Sequence, residues 1–313
     1  MSKVSNKMKN YLTYIDEKFP IRRSNEEKSE FIRFAIDEAR ELGYDSNVET
    51  TKKHNNLVFG NLDSAKVVFT AHYDTPASSL IPNLMMPRNL FLGYLYAFFY
   101  PILLSFLSIG AAYLITNPFN LGDYLPIAMV GIYMALYLSS YFISVRCFKN
   151  KRNLNDNTSG VATLFALMND YKGNNAAFVL FDNEEKGLLG SKAFAKKHKE
   201  LLKDKLVINY DCVGNGEHII FIAKNGAENH ELYNSFKAVS NPSEKYQTYF
   251  YPMKGSMGNS DYKSFNNGVG VMACNKGKVG FYTARIHTNR DDVACYENIL
   301  YLTQHACEFL NEI

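Results

Sequence analysis

Short apolar runs alternate with amphipathic segments along most of the chain. NLVFGNL (56–62), KVVFTAH (66–72), AAFVLF (176–181), KLVINY (205–210) and HIIFIA (218–223) read as strands, as do TYFY (248–251), VGVMAC (269–274) and KVGFY (278–282). Apolar residues at helical spacing predict helices in EEKSEFIRFAIDEARELG (26–43), SGVATLFALMND (159–170), LLGSKAFAKKH (188–198) and ENHELYNSFKAVS (228–240). The same holds for DYKSF (261–265) and YENILYLTQHACEFLNEI (296–313). Ser24 and Glu27 form a capping-box pattern before the first of these. Strands alternating with helices predict an α/β fold, a three-layer sandwich with a mixed, largely parallel central sheet.

One region breaks the pattern. No charged residue occurs from Asn89 to Gly122, or from Tyr124 to Val145. Each run is long enough to cross a bilayer, which takes about 20 apolar residues. TNPFNLGD between them is a turn. The pair reads as an inserted transmembrane hairpin at 89–146, with Pro101 tolerated inside the first helix. Residues 1–88 and 147–313 then make one discontinuous domain. Arg88 precedes the hairpin and Arg146, Lys149, Lys151 and Arg152 follow it, whereas the turn carries only Asp123. The positive-inside bias places the domain and both termini in the cytoplasm, on a two-span membrane protein whose lipid contact is 89–146. The first residues lack the apolar core of an export signal.

Composition adds exclusions. A net charge of +3 over 313 residues does not favour nucleic acid. Cys147, Cys212, Cys274, Cys295 and Cys307 are odd in number and show no CxxC spacing, which argues against a disulfide framework.

The chemistry lies at the strand ends, where parallel sheets gather ligands. KVVFTA runs into His72 and Asp74, FVLF into Asp182, Glu184 and Glu185, and KLVINY into Asp211. Asp156 precedes the helix at 159–170, and KVGFYTARI leads to His287, then Asp291 and Asp292. Two imidazoles with several carboxylates suit zinc, with cobalt or manganese as substitutes. His54, His198, His218, His230 and His305 sit in polar contexts and read as structural or exposed.

In order, the chain presents AHYDTP, NLNDNTSGVA, DNEEKGLLGS, NYDCVG and IHTNRDD. This series resembles the di-zinc aminopeptidase family of co-catalytic metallopeptidases, whose relatives include glutamate carboxypeptidase, glutaminyl cyclase and the transferrin receptor. The resemblance covers roughly 30–88 and 150–312, with the hairpin between the first and second motifs. It implies two zinc ions bridged by Asp156, one also held by His72 and Asp211, the other by Glu185 and His287. It implies Glu184 as general base, Asp74 as the partner that orients His72, and a cis peptide bond after Asp156. Asp182 reads as structural. The chain departs from the pattern at Tyr262, where GNSDYKSF has tyrosine in place of a histidine, and at Ile286, where some secreted members carry an oxyanion-stabilising tyrosine. That role then falls to the metals or to another group such as Tyr262 or Tyr282. The single-zinc cyclase branch lacks the ligand found here as His72.

The expected function is a membrane-anchored exopeptidase, an aminopeptidase acting on a peptide substrate. The alternatives are a metal-dependent amidase for a non-peptide or acylated amine, and a non-catalytic receptor or scaffold. About 15 residues separate Asp74 from the hairpin, and at about 3.5 Å per extended residue the site lies near the bilayer. A membrane-associated substrate is therefore one expectation, and simple anchoring the other.

Overall fold

The computed structural model describes residues 3–80, 83–144, 148–241 and 243–313. Arg146 and Cys147, and with them the predicted end of the hairpin, lie outside the described residues.

The strands are β1 (Ser46–Thr50), β2 (Asn55–Phe59), β3 (Val67–His72), β4 (Ala77–Ser78), β5 (Phe148–Lys149) and β6 (Ala176–Phe181). They continue with β7 (Leu206–Tyr210), β8 (His218–Ala223), β9 (Gln247–Pro252), β10 (Gly268–Gly277) and β11 (Gly280–Tyr282). One sheet has the order β1-β2-β6-β3-β7-β10-β8-β9, with β11 paired to β10. Its centre, β6-β3-β7-β10, is parallel throughout, and β8 and β9 are parallel as well. The antiparallel pairings lie outside this centre, so the sheet is mixed, as the sequence predicts.

Helices cover both faces. They are α1 (Lys3–Lys18), α2 (Asn25–Glu41), α3 (Leu90–Thr116), α4 (Leu125–Phe142), α5 (Gly160–Asp170), α6 (Leu189–Lys197), α7 (Asn225–Glu228), α8 (Glu231–Ala238) and α9 (Tyr296–Glu312). Strand residues divide by parity. Val67, Phe69 and Ala71 face a core shared with Tyr11, Phe31, Phe165 and Phe309 of α1, α2, α5 and α9. Val68, Val179, Phe181 and Val207 face Phe194 of α6 and Phe265. This alternation is the period of two in a β-strand, with apolar matter on both sides.

Several details separate the fold from the sequence reading. Helix α1 and strand β1 are absent from the sequence reading, although Tyr11, Leu12 and Ile15 recur at helical spacing. In α1, Tyr11, Leu12 and Ile15 are buried, and Tyr11 stacks on Phe165. The helix expected at 228–240 is two, α7 and α8. His230 interrupts it by capping α8, its Nδ1 accepting the Leu232 N–H at 3.2 Å. DYKSF forms only a 3-10 turn, Asp261–Ser264. The capping box at Ser24 and Glu27 is formed in full.

Helix α3 and the span Gly122–Phe142, which contains α4, have mean hydropathies of 1.9 and 1.5, and most of their apolar surface is exposed. They are long and apolar enough to cross a membrane. Helix α3 passes through Pro101 without ending. Ser105 and Tyr133 join the two helices at 3.1 Å, and Tyr100 bonds to Ser144 beside the end of α4.

Lys28 and Asp182 form a buried ion pair at 2.5 Å, and Asp182 also accepts the Asn55 amide at 3.0 Å. Asp182 thus ties α2 to β2 and β6, in agreement with its structural reading. Lys28→Met leaves this carboxylate buried without its cation and is expected to destabilise the protein by about 3–5 kcal/mol, measured by denaturant unfolding.

Candidate metal centre

Three adjacent parallel strands deliver their carboxyl ends to one edge of the sheet. His72 closes β3 and is in register with Phe181 at the end of β6. Thr70 of β3 is in register with Asn209 of β7, so Asp211 emerges beside His72. The chain after β6 turns sharply, with positive φ at Asn183, Gly187 and Leu188, and sets Glu184 and Glu185 against the same edge. His287 arrives differently. KVGFYTARI pairs as a strand only over Gly280–Tyr282, after which Arg285 and His287 adopt φ of 73° and 58°. These left-handed conformations are costly for residues with side chains. They turn the chain out of the strand and aim His287 at the site.

The ionisable residues expected at the site meet there. Asp156 lies between two groups. Its Oδ1 is 3.3 Å from His72 Nε2, and its Oδ2 is 3.0 Å from His287 Nε2. His72 Nε2 is also 3.6 Å from Asp211, and His287 Nε2 is 3.4 Å from Glu185. Donor atoms of His72, Asp156 and Asp211 lie within 4.8 Å of one another, as do those of Asp156, Glu185 and His287, and those of His72, Glu184 and Glu185. Asp156 Oδ1 and Glu185 Oε1 are buried with no hydrogen-bond partner. A buried carboxylate oxygen without a partner is costly, and a divalent cation satisfies it. Two imidazoles with carboxylates are the donor set that zinc takes. The residues present therefore fit the metal.

The electrostatics have the same origin. Burial raises the Glu184 carboxyl well above the usual range, and Glu185, Asp261 and Asp211 add to this against the pull of His72. Burial, with repulsion from Asp156, brings Glu185 to about 8 despite His287. Burial works to lower His287, yet Glu185 and Asp156 raise it to about 10. For Asp156, the nearby imidazoles of His287 and His72 outweigh burial and hold its pKa well below the carboxylate range. This is a crowd of like charges sharing few cations.

The surrounding residues fix the donors in place. Asp74 sits two residues beyond His72. Its carboxylate accepts the amides of Glu184 at 3.0 Å and Glu185 at 3.3 Å. His72 Nδ1 is 3.1 Å from the Asp74 carbonyl oxygen and 3.6 Å from its carboxylate. In this geometry Asp74 orients the imidazole through its backbone and holds the Glu184–Glu185 turn through its side chain.

The positioning roles of three residues, Asn157, Asp291 and Arg22, escaped the sequence reading, although Asp291 is among the acids it notes. Asn157 donates to the carbonyl oxygen of Tyr210 at 3.0 Å and accepts from the amides of Gly160 and Cys212. It thereby ties the Asp156 turn to the end of β7. The peptide bond between Asp156 and Asn157 is cis, as the resemblance implies. Asp291 accepts the amides of Asn155 at 3.2 Å and Asp156 at 2.9 Å. Arg22 is fully buried beneath the site, donating to the carbonyl oxygens of Tyr73 and Phe19 and to Thr158. The motif IHTNRDD contains Asp291, but its bonds run to backbone amides far away in the chain, and no local spacing signals that. Asp291→Ala frees the Asp156 turn and is expected to weaken zinc binding by about 10–100-fold, read by competition with a chromophoric chelator.

Of the residues proposed to replace the missing tyrosine at Ile286, Tyr262 is buried. It packs with Ile220, Ile222 and Met272, its ring against Gly270. His305 is buried among Phe221, Phe236 and Tyr301, and burial lowers its pKa to about 4, which agrees with a structural reading. The described cysteines, Cys212, Cys274, Cys295 and Cys307, are free thiols.

Comparison with solved structures gives the same fold. Porphyromonas gingivalis glutaminyl cyclase superposes with a TM-score of 0.60 at 14% identity, over 98% of each chain. A leucine aminopeptidase precursor from Bacteroides thetaiotaomicron gives 0.60 at 11%, over 99% of this chain and 97% of its own. A Zn-dependent exopeptidase from Parabacteroides distasonis gives 0.58 at 13%, over 98% and 96%. No curated protein matches the chain by sequence. Residues 142–306, more than half of the chain, match peptidase family M28, and they contain four of the five expected metal ligands together with Glu184. The chain belongs to peptidase family M28.

Proposed function

We propose that this protein is a membrane-anchored, zinc-dependent exopeptidase, an aminopeptidase that hydrolyses the first peptide bond of its substrate. The observation that carries this reading is the place of Asp156, one oxygen toward His72 and the other toward His287. A carboxylate so placed is suited to bridge two ions. On this reading His72 and Asp211 complete one zinc site and Glu185 and His287 the other. Residues 1–88 and 147–313 form the peptidase domain, and 89–146 is its membrane hairpin.

When bound, zinc held by these residues would supply Lewis acidity at the scissile carbonyl and lower the pKa of the attacking water. Glu184 accepts a proton as the water oxygen bonds to the carbonyl carbon. It returns a proton to the leaving nitrogen as the C–N bond breaks. The place of Glu184 in the cavity lined by the five expected ligands supports both roles. Asp74 keeps the Glu184 turn and the His72 ring in register with each other.

The apolar, exposed surface of α3 and α4 supports the membrane reading. Arg88 before α3, and Lys149, Lys151 and Arg152 after α4, support a cytoplasmic domain.

The reading is tested with the purified full-length protein in detergent, supplied with alanine and leucine p-nitroanilides and their N-acetylated forms. Zinc-dependent release of nitroaniline from the free-amine substrates alone, abolished by 1,10-phenanthroline and restored by zinc, is the expected result. Equal or faster cleavage of the N-acetylated forms contradicts an aminopeptidase.

A further inference from the structure

Helix α3 does more than leave the domain. Its base is fastened to loops that border the metal-ligand cluster. Arg88 donates to the Gly255 carbonyl oxygen and the Ser256 hydroxyl, both at 2.8 Å, and the Met257 amide donates to the Pro87 carbonyl oxygen at 2.8 Å. Asn89 caps α3 and bonds to the Val279 carbonyl oxygen at 3.0 Å. Gly93 permits this docking, since a Cβ there meets the Met257 sulfur and the Met86 carbonyl oxygen.

Two cavities lie at the site. The inner one, about 540 Å³, contains the five expected ligands and Glu184. The outer one, about 490 Å³, shares Glu185 and His287 with it and runs outward from them. Its far wall is the face of α3 that carries Gly93, Tyr96, Ala97 and Tyr100, opposite Met85 and Met257. One element is therefore both a candidate membrane span and a wall of the reaction cleft.

The level of this wall follows from helix lengths. Helix α3 has 27 residues and α4 has 18. Tyr100 bonds to Ser144, the last residue of the second helix that the structure describes, so α3 begins ten residues before this contact. At 1.5 Å per residue α3 is about 40 Å long, against a hydrocarbon core of about 30 Å. The surplus is assigned to the end that Arg88 and Asn89 fasten to the domain. Tyr96–Tyr100 then stand at the boundary between headgroups and acyl chains, and the outer cavity opens there.

Resting on the aminopeptidase reading, we propose that the leaving portion of the substrate is an apolar chain, seated between α3 and the Met85–Met257 side at the bilayer boundary. An aminopeptidase holds the terminal amine and first side chain in the inner cavity. The portion beyond the scissile bond leaves by the outer one, whose α3 side is aromatic and aliphatic and whose opposite side carries Met85, Met257 and the basic residues Arg23, Lys28 and Lys186. The substrates are amphiphiles: a short polar N-terminus joined through its first amide to an apolar chain that stays with the membrane.

The test uses the full-length protein in detergent with alaninamide and the alanyl amides of butylamine, octylamine and dodecylamine. Each is hydrolysed, with one water consumed, to alanine and the free alkylamine, or ammonia in the case of alaninamide. For the wild type, kcat/KM is expected to rise by about fourfold for each methylene seated, up to the length of the cavity. Ala97→Phe fills the cavity and is expected to flatten this dependence. The slope is a ratio within one protein, so a general loss of activity does not imitate the effect. Ala97→Leu, a smaller intrusion, is expected to give an intermediate slope and serves if the Phe variant does not fold. A wild type indifferent to chain length, or the same slope in wild type and variants, overturns the proposal. If the wild type cleaves none of the amides, alaninamide included, the aminopeptidase reading fails with it.

Discussion

Glu184→Gln is expected to lower kcat by about 10²–10⁴-fold, the usual worth of a general acid–base group, while bound zinc stays the same. Glutamine keeps the volume and one carbonyl oxygen but accepts no proton at neutral pH. The geometry makes the separation clean. Asp74 holds residue 184 through its backbone amide, which the substitution leaves in place. On the proposed scheme the zinc ligands are five other residues. Metal analysis and steady-state kinetics on the same preparation give the readout. Near-normal turnover by the zinc-loaded variant removes Glu184 from its proposed role. Loss of zinc together with activity makes it a ligand, which the cluster of His72, Glu184 and Glu185 also permits.

The second large effect falls on Asp156. Asp156→Ala removes the one carboxylate that both groups share, and His72 and His287 each lose their nearest acid. Loss of a group that merely supports a ligand costs about 10–100-fold in metal affinity. Loss of the shared ligand is expected to cost more, with both zinc equivalents weakened and hydrolysis falling below detection. Loss of a single equivalent with the other at full affinity contradicts a bridging role. The asymmetric control is Asp211→Ala, which on this account weakens chiefly the site containing His72.

Much of the centre is legible in the sequence because it is built from strand ends. A strand such as KVVFTA must be apolar on both faces, so the first ionisable residues after it, His72 and Asp74, stand out. The same contrast reveals Glu184, Glu185 and Asp211. The hairpin is legible for a related reason, since an exposed helix without charge is rare outside lipid. The features that escaped are long-range and made by backbone groups. Asn157 and Asp291 act on amides and carbonyl oxygens of distant segments, and a backbone amide leaves no mark in sequence. Arg22 looks like half of a surface Arg-Arg pair until the fold buries it under Tyr73 and Thr158. The turn that aims His287 depends on positive φ at Arg285 and His287, residue types that do not announce it. Likewise, composition marks α3 as apolar but not that one of its faces lines the cavity beside Glu185 and His287.

The most direct measurement is a crystal structure of the zinc-loaded protein with anomalous differences collected on both sides of the zinc absorption edge. Two zinc peaks a few ångströms apart, one between His72 and Asp211, the other between Glu185 and His287, with Asp156 reaching both, are the predicted result. A single peak, or peaks ligated by other residues, contradicts the account.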